Sequence, residues 1–146
     1  MTIKYVSLIT GGFDPLHSGH IKYINAAKSY GDILVVGLNS DKWLENKKGK
    51  FFLPFNERLM IMKSLKDIHD VISFNDSDDS AIDAIKNIKN TYKDSIIKFC
   101  NGGDRNEENI PELKEFENDK RVEFKFGVGG DSKINSSSKI LRAWTD

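Results

Sequence analysis

The stretch that decides the fold is Tyr5–His20, YVSLITGGFDPLHSGH, where an apolar run is followed by a glycine pair and then by a helical pattern. The run Tyr5–Ile9 is rich in β-branched and aromatic residues, which favour a strand. Gly11 and Gly12 permit the backbone to approach a ligand closely, and Ser18 is of a type that caps helices. The segment therefore predicts a strand, a glycine loop and a helix in that order.

The same alternation of apolar runs and helical patterns continues along the chain. Further strands are predicted at Ile33–Leu38, Val71–Phe74, Ile96–Cys100 and Val122–Phe126. Helices are predicted at His20–Tyr30, Asn56–Lys66, Ser80–Tyr92, Pro111–Asp119 and about Ser136–Trp144. Strands separated by helices pair in parallel through right-handed crossovers, so the pattern predicts an α/β sheet with ligands bound beyond the carboxyl ends of its strands. The polar, lysine-rich stretch Asp41–Phe52 is predicted to be a mobile loop.

Composition and charge narrow the class of protein. The 146 residues are 38% apolar and 30% charged, which fits a single globular domain over residues 1–146. Lys and Arg number 22, as do Asp and Glu, whereas a nucleic-acid-binding protein usually has a basic excess. Cys100 is the only cysteine, which excludes an intrachain disulfide and a paired-cysteine metal site. The N-terminal sequence lacks a signal peptide and no run is long enough for a membrane helix, so we expect a cytoplasmic protein without nucleic-acid or membrane partners.

His17 and His20 form the candidate catalytic pair. They lie three residues apart beside a predicted helix start, whose free amide groups form an anion site. There they can donate hydrogen bonds to a polyphosphate and, when protonated, add positive charge. A His-x-x-His pair also occurs as a surface accident or as half of a zinc site, but the third histidine, His69, lies on a different segment. We therefore predict no side-chain metal site.

Four segments together resemble the HxGH nucleotidyltransferase superfamily: GGFDPLHSGH at residues 11–20, GDILVVGLNSD at 31–41, NERLMIM at 56–62 and NSSSKI at 135–140. The resemblance covers essentially the whole chain and is strongest to glycerol-3-phosphate cytidylyltransferases and to the adenylyl-transferring domain of ADP-heptose synthases. It implies a Rossmann-like three-layer sandwich with a five-stranded parallel sheet in the order 3-2-1-4-5. It also implies a nucleoside triphosphate donor, CTP or ATP, a phosphorylated small-molecule acceptor, Mg²⁺ bound through the phosphates, and a homodimer.

The resemblance further implies two kinds of cation near the phosphates. One of the three lysines at residues 47–50 is expected to offset charge in the transition state, and a solvated basic loop is the alternative. Arg58 lies near a helix start, where a cation is unfavourable without an anion. We expect a phosphate or carboxylate partner for it, and a surface salt bridge with Glu57 or Asp67 is the alternative.

Polar residues at later strand and helix ends complete the expected site. Asp41 is expected on the acceptor side, with a loop-capping aspartate as the alternative. The loop Asn101–Arg105 (NGGDR) follows the fourth strand, and Ser136–Ser138 form a second anion site or an ordinary helix cap. Trp43 and the pair Phe51–Phe52 either line the acceptor pocket or make core or dimer contacts.

The complete set of predicted site residues has three parts. Catalysis is assigned to His17, His20, Lys47, Lys48 and Arg58. Nucleotide binding is assigned to Thr10, Gly11, Gly12, Phe13, Gly19, Asn101, Gly103, Asp104, Ser136, Ser137 and Ser138. Acceptor binding is assigned to Asp14, Asp41 and Arg58.

Three functions remain open at this point. The favoured one is transfer of CMP to a phosphorylated small polyol or sugar, with release of pyrophosphate. The second is adenylyl transfer to a sugar 1-phosphate. The NGGD sequence at residues 101–104 resembles the GGD loop of heptose-1-phosphate adenylyltransferases more closely than the corresponding cytidylyltransferase loop. The third is a catalytically silent nucleotide-binding module. A GxGxxG dehydrogenase is disfavoured because the first loop lacks that spacing.

Overall fold

The computed structural model describes residues 2–103, 105–130 and 136–145 of the chain. Within these ranges five strands form one parallel sheet in the order β3-β2-β1-β4-β5. The strands are β1 (Tyr5–Gly11), β2 (Ile33–Leu38), β3 (Asp70–Ser73), β4 (Ile96–Cys100) and β5 (Val122–Lys125). The predicted fold class and strand order are confirmed, and each predicted strand lies within two residues of its observed bounds.

Helices follow the strands and cover both faces of the sheet. They are α1 (Ser18–Lys28), α2 (Asp41–Lys48), α3 (Phe55–Lys63), α4 (Ile82–Thr91), α5 (Pro111–Phe116) and α6 (Ser137–Thr145). Each of the five predicted helices is present, with ends that differ by at most three residues.

The prediction of a mobile loop over residues 41–52 was wrong, because most of it forms α2. The Ser40 side chain caps this helix by accepting a hydrogen bond from the backbone N–H of Trp43 (3.1 Å). Leu44 is only 1% exposed and anchors one face of the helix in the protein. Lys47 and Lys48 lie in the last turn, where cations are favourable, and Gly49 ends the helix at φ +89°.

The hydrophobic core lies on both faces of the sheet. On one face, Leu8 of β1 belongs to a buried cluster with Ile85 of α4 and Phe116 of α5. On the other face, Ile9 of β1 belongs to a second cluster with Ile24 of α1. All six residues of β2 are buried, as a strand covered on both faces requires.

Cys100 ends β4 within this core. Cys100 is 1% exposed, and its Sγ lies 3.4 Å from the Ser7 hydroxyl. Burial raises the pKa of the Cys100 thiol. The thiol is therefore a packing group and takes no part in the chemistry described below.

None of the helices in the described ranges is long and apolar enough to cross a membrane.

Candidate active site

A cavity of about 450 Å³, which we call the main cavity, opens at the carboxyl ends of β1 and β4. In the order β3-β2-β1-β4-β5 this is where the strand order reverses, the usual ligand site of such sheets. Most of the predicted site residues line it. They are Thr10, Gly11, His17, Gly19, His20, Lys48, Asn101, Gly103, Ser136, Ser137 and Ser138.

The start of α1 is built by the two histidines. The expected N-cap, Ser18, is the first residue of the helix instead, and His17 is the N-cap. His17 Nδ1 accepts a hydrogen bond from the backbone N–H of Gly19 (3.0 Å), and His20 Nδ1 accepts one from the backbone N–H of His17 (3.3 Å). Serine was preferred in the prediction because hydroxyls cap helices more often than imidazoles.

This reciprocal cap fixes the chemistry that the imidazoles present to the main cavity. In a neutral imidazole one ring nitrogen accepts and the other carries the proton. Since Nδ1 of both His17 and His20 accepts a backbone hydrogen bond, Nε2–H is the donor that each ring retains. The rings stack with centroids 3.8 Å apart, and Phe13 contacts His20 edge-on at 5.0 Å. The pair thus presents two N–H donors in a defined arrangement.

The surroundings of the pair disfavour protonation. The pKa of His17 is lowered by burial and then by the charge of Lys48. Burial, the neighbouring His17 and Lys48 together lower the pKa of His20 to about 4. The site therefore presents neutral imidazoles at pH 7, and positive charge is supplied by other side chains that line the main cavity, Lys48 among them.

We expect the stability of the protein to fall as the pH drops from 7 towards 4. The unfolded chain binds a proton at His20 below about pH 6.5, whereas the folded protein resists that proton down to about pH 4. The free energy of unfolding should therefore decrease through this window by at most about 3 kcal/mol. Urea unfolding at several pH values, compared with His20→Asn, measures the effect. An identical pH dependence in the two proteins would contradict it.

The serine segment at the start of α6 contacts the first loop directly. Ser137 Oγ donates a hydrogen bond to the Pro15 carbonyl (2.9 Å), and Ser136 Oγ accepts one from the backbone N–H of Lys139 (3.1 Å). Ser136 is thus the helix cap, and Ser138 also lines the main cavity. The first loop and the serine turn therefore border the same cavity.

The glycine pair of the first loop makes room for other parts of the chain. A Cβ on Gly12 would lie 2.6 Å from Leu44 Cδ2, and one on Gly11 would lie 3.0 Å from the Phe13 ring. Phe13 itself is 6% exposed and adopts φ +50°, in the left-handed region. Gly11 lines the main cavity, whereas Gly12 and Phe13 support it from behind.

Arg58 is buried and holds the loops behind the main cavity together. Its side chain is fully buried and donates hydrogen bonds to the carbonyls of Leu53 (2.9 Å), Gly12 (3.1 Å) and Asn39 (2.8 Å). Its Nη2 also donates to Asp41 Oδ1 at 2.7 Å. The expected carboxylate partner is therefore Asp41, and the alternatives Glu57 and Asp67 are not used. Arg58 and Asp41, both assigned to the acceptor, do not line the main cavity.

Two other predicted residues also lie outside the main cavity. Asp14 is 3% exposed and accepts hydrogen bonds from the backbone N–H groups of Phe52 (2.6 Å) and Leu53 (2.8 Å). It fixes the segment between α2 and α3, a role that its sequence position did not indicate. Lys47 is exposed and its Nζ lies 5.0 Å from the Trp43 ring centroid. Asp104 lies outside the described residues.

Hydrogen bonds attach the cavity wall formed by β4 and its following loop to the neighbouring elements. Asn101 is 4% exposed and donates its backbone N–H to the Lys125 carbonyl (2.8 Å), while its own carbonyl accepts from Val128 (3.0 Å). The Tyr23 hydroxyl of α1 donates to the Cys100 carbonyl at 2.6 Å. These contacts tie the end of β4 both to β5 and to the histidine helix.

Sequence reasoning missed the part of the main cavity that faces α4 and α5. The missed side chains are Phe74, Asp79, Ser80 and Glu112. Arg105, from the predicted loop Asn101–Arg105, lies beside them, and Trp43 lines the cavity as one of its two interpretations allowed. The acidic run at residues 75–79 follows β3, so the rule that loops after strands carry the chemistry could have identified it. Glu112 had no such signal, because an acidic residue in a first helical turn is common.

Comparisons with known proteins agree with this geometry. The family model described as cytidylyltransferase-like matches residues 8–143. The bifunctional protein HldE of Geobacter metallireducens is 37% identical over 144 residues, which are 97% of this chain and 28% of that protein. The bifunctional protein HldE of Sulfurimonas denitrificans is 36% identical over 140 residues, 94% of this chain and 27% of that protein. This chain thus spans little more than a quarter of the length of these relatives.

Among solved structures, the lipopolysaccharide core biosynthesis protein from Thermoplasma volcanium GSS1 superposes with a TM-score of 0.63 at 28% identity, covering 91% of this chain and 99% of that one. The family model covers far more than half of the chain, and both HldE relatives are more than 30% identical over nearly all of it. The chain therefore belongs to the cytidylyltransferase-like family of nucleotidyltransferases.

Proposed function

We propose that this chain transfers AMP from ATP to a sugar 1-phosphate and releases pyrophosphate. The observation that carries the proposal of nucleotidyl transfer is the meeting of two helix N-termini, those of α1 and α6, at the main cavity beside the His17 and His20 N–H donors. Helix N-termini bind phosphate groups through free N–H groups and the helix dipole. Two of them at one cavity suit a triphosphate.

The choice of adenylyl transfer rests on two further observations. The relatives named HldE favour a heptose-phosphate adenylyltransferase activity. The loop after β4 begins Asn101-Gly102-Gly103, which resembles the adenylyl-transferring domain of ADP-heptose synthases. Transfer of CMP to a polyol phosphate, favoured by the sequence alone, stays a prediction and is the second candidate, which the cytidylyltransferase-like family description keeps open.

The reaction requires positioning and charge stabilisation more than acid–base chemistry. An oxygen of the acceptor phosphate attacks the α-phosphorus in line, the bond to the bridging oxygen breaks, and pyrophosphate leaves with the electron pair. The attacking oxygen is already anionic near neutral pH, so no general base is needed. The neutral His17 and His20 donate Nε2–H to phosphate oxygens, and Lys48 offsets the charge of the leaving group.

Mg²⁺ fits this site as a companion of the triphosphate. Across the described ranges, no group of three or more His, Cys, Asp or Glu side chains comes together in a way that could hold a metal ion. Mg²⁺ usually keeps several waters and binds substrate phosphates in such enzymes. It would supply charge neutralisation at the phosphate oxygens.

A homodimer is also proposed, as for the resembling families.

Pyrophosphate release with each donor and acceptor tests the proposal. We expect turnover with ATP and a heptose 1-phosphate, and at least tenfold lower kcat/KM with CTP or with glycerol 3-phosphate. A tenfold discrimination corresponds to about 1.4 kcal/mol in the transition state, within reach of a few base contacts. Preference for CTP and glycerol 3-phosphate would establish the second candidate. Nucleotide binding without turnover over the whole panel would identify a silent module.

A further inference from the structure

Glu112 is a buried carboxylate on the wall of the main cavity that the reaction described above does not use. The residue lies in the first turn of α5 and is 1% exposed. Its Oε2 accepts a hydrogen bond from the backbone N–H of Ala81, just before α4, at 2.7 Å. Its Oε1 is the one buried side-chain oxygen or nitrogen in the described residues without a hydrogen-bond partner.

The nearest cation does not satisfy this oxygen. Arg105 Nη1 lies 3.9 Å from Glu112 Oε1, which is beyond hydrogen-bond distance, and the Arg105 side chain is 42% exposed. Leaving a buried oxygen without a donor costs free energy, and a charged one costs more. Such a group is rare in folded proteins and calls for an explanation, which a ligand bound in the cavity provides.

The main cavity has two sides, and Glu112 lies on the side away from the phosphate-binding groups. The histidines and serines belong to α1 and α6, whereas Glu112 and Ser80 lie beside α4 and α5. The α1 and α4 helices pack on opposite faces of the sheet. With the triphosphate at the helix N-termini of α1 and α6, the second substrate occupies the side that contains Glu112.

The groups on this second side suit a polyhydroxylated ligand. A carboxylate oxygen is an acceptor for hydroxyl groups, and Ser80 adds a further hydroxyl. Trp43 and Phe74 supply apolar surface against which the C–H groups of a sugar ring can pack. The exposed guanidinium of Arg105 adds a donor next to the carboxylate.

We propose that Glu112 determines acceptor specificity, because its Oε1 accepts a hydrogen bond from a hydroxyl group of the sugar phosphate while its Oε2 remains bound to Ala81. This inference rests on the proposed function and deepens it, since it assigns a side chain to the sugar. The alternative is that Glu112 accepts a hydrogen bond from an amino or hydroxyl group of the nucleoside. The experiment below distinguishes the two by the substrate whose KM changes.

Glu112→Gln tests the proposal with little change in shape. Its amide oxygen can keep the hydrogen bond from Ala81, and its NH₂ group replaces the free acceptor with a donor. We expect the KM for the sugar 1-phosphate to rise about 10- to 100-fold and the KM for ATP to stay within twofold. Glu115→Gln, on the exposed face of α5, makes the same charge change and should leave both values unchanged.

Deoxy analogues of the sugar phosphate identify the hydroxyl group. Removing the hydroxyl that Glu112 contacts should weaken the wild type about as much as Glu112→Gln does, and should weaken the variant little further. A rise in the KM for ATP alone would assign Glu112 to the nucleoside and overturn the proposal. A lower Tm with both KM values unchanged would reduce Glu112 to a contact between α4 and α5, which also overturns it.

A direct binding measurement distinguishes failure of the proposed reaction from failure of the inference about Glu112. If the wild type releases no pyrophosphate with any pair of substrates, the proposed reaction is wrong. Isothermal titration with heptose 1-phosphate and mannose 1-phosphate then decides the inference. Binding that Glu112→Gln weakens at least tenfold would support a sugar-phosphate site at Glu112. Absence of sugar-phosphate binding to the wild type would overturn the inference.

Discussion

His20→Asn is expected to lower turnover by about 100- to 1000-fold, the usual effect of removing one donor that stabilises transition-state charge. The asparagine side chain can still accept the hydrogen bond from the backbone N–H of His17, so the start of α1 should persist. It is too short to place a donor where Nε2 lies. Pyrophosphate release measures the rate, and urea unfolding should show a stability within about 1 kcal/mol of the wild type.

His20→Gln is the matched comparison, because its longer amide reaches towards the Nε2 position. We expect it to retain more activity than the asparagine variant while sharing its loss of the imidazole. An alanine at either histidine is less informative, since the reciprocal cap between His17 and His20 would be lost together with the donor. Turnover of His20→Asn within threefold of the wild type would remove His20 from the catalytic set.

The largest effect on stability is expected from Arg58→Met. Methionine fills similar space but leaves three backbone carbonyls and Asp41 without their donor. Removing one partner of a buried charged network typically costs about 3–5 kcal/mol. For a chain of this size we expect the Tm to fall by roughly 10 °C or more. Thermal and urea unfolding measure both quantities.

Arg142→Met makes the same chemical change on the exposed face of α6 and should alter the stability by less than about 0.5 kcal/mol. Arg58→Met with unchanged stability and reduced affinity for the acceptor would contradict this assignment. Such a result would return Arg58 to the acceptor-binding role that the family resemblance implied.

The sequence predicted the sheet, and the segments that line the histidine and serine side of the main cavity, because their signals are local. An apolar run such as Ile33–Leu38 indicates a buried strand without knowledge of its neighbours. The carboxyl ends of parallel strands meet at one edge, so the histidine and serine segments, far apart in the chain, could be placed together before the structure was known.

The contacts that sequence reasoning could not supply are those between distant segments. Arg58 binds the carbonyls of Gly12 and Asn39, and backbone carbonyls carry no sequence signal at all. Asp14 has its partners at Phe52 and Leu53, whose conformation depends on α2. The burial of Glu112 likewise depends on how α5 packs beside α4.

The chemistry of Cys100 makes the protein convenient for site-specific labelling. The Cys100 thiol is buried and its pKa is raised. Maleimide reagents, which react with exposed thiolates, should therefore leave Cys100 unmodified. A cysteine introduced at the exposed Lys50, just after α2, would then react alone. A fluorophore attached there would report movement of the lysine-bearing segment during nucleotide binding, without first removing the native cysteine.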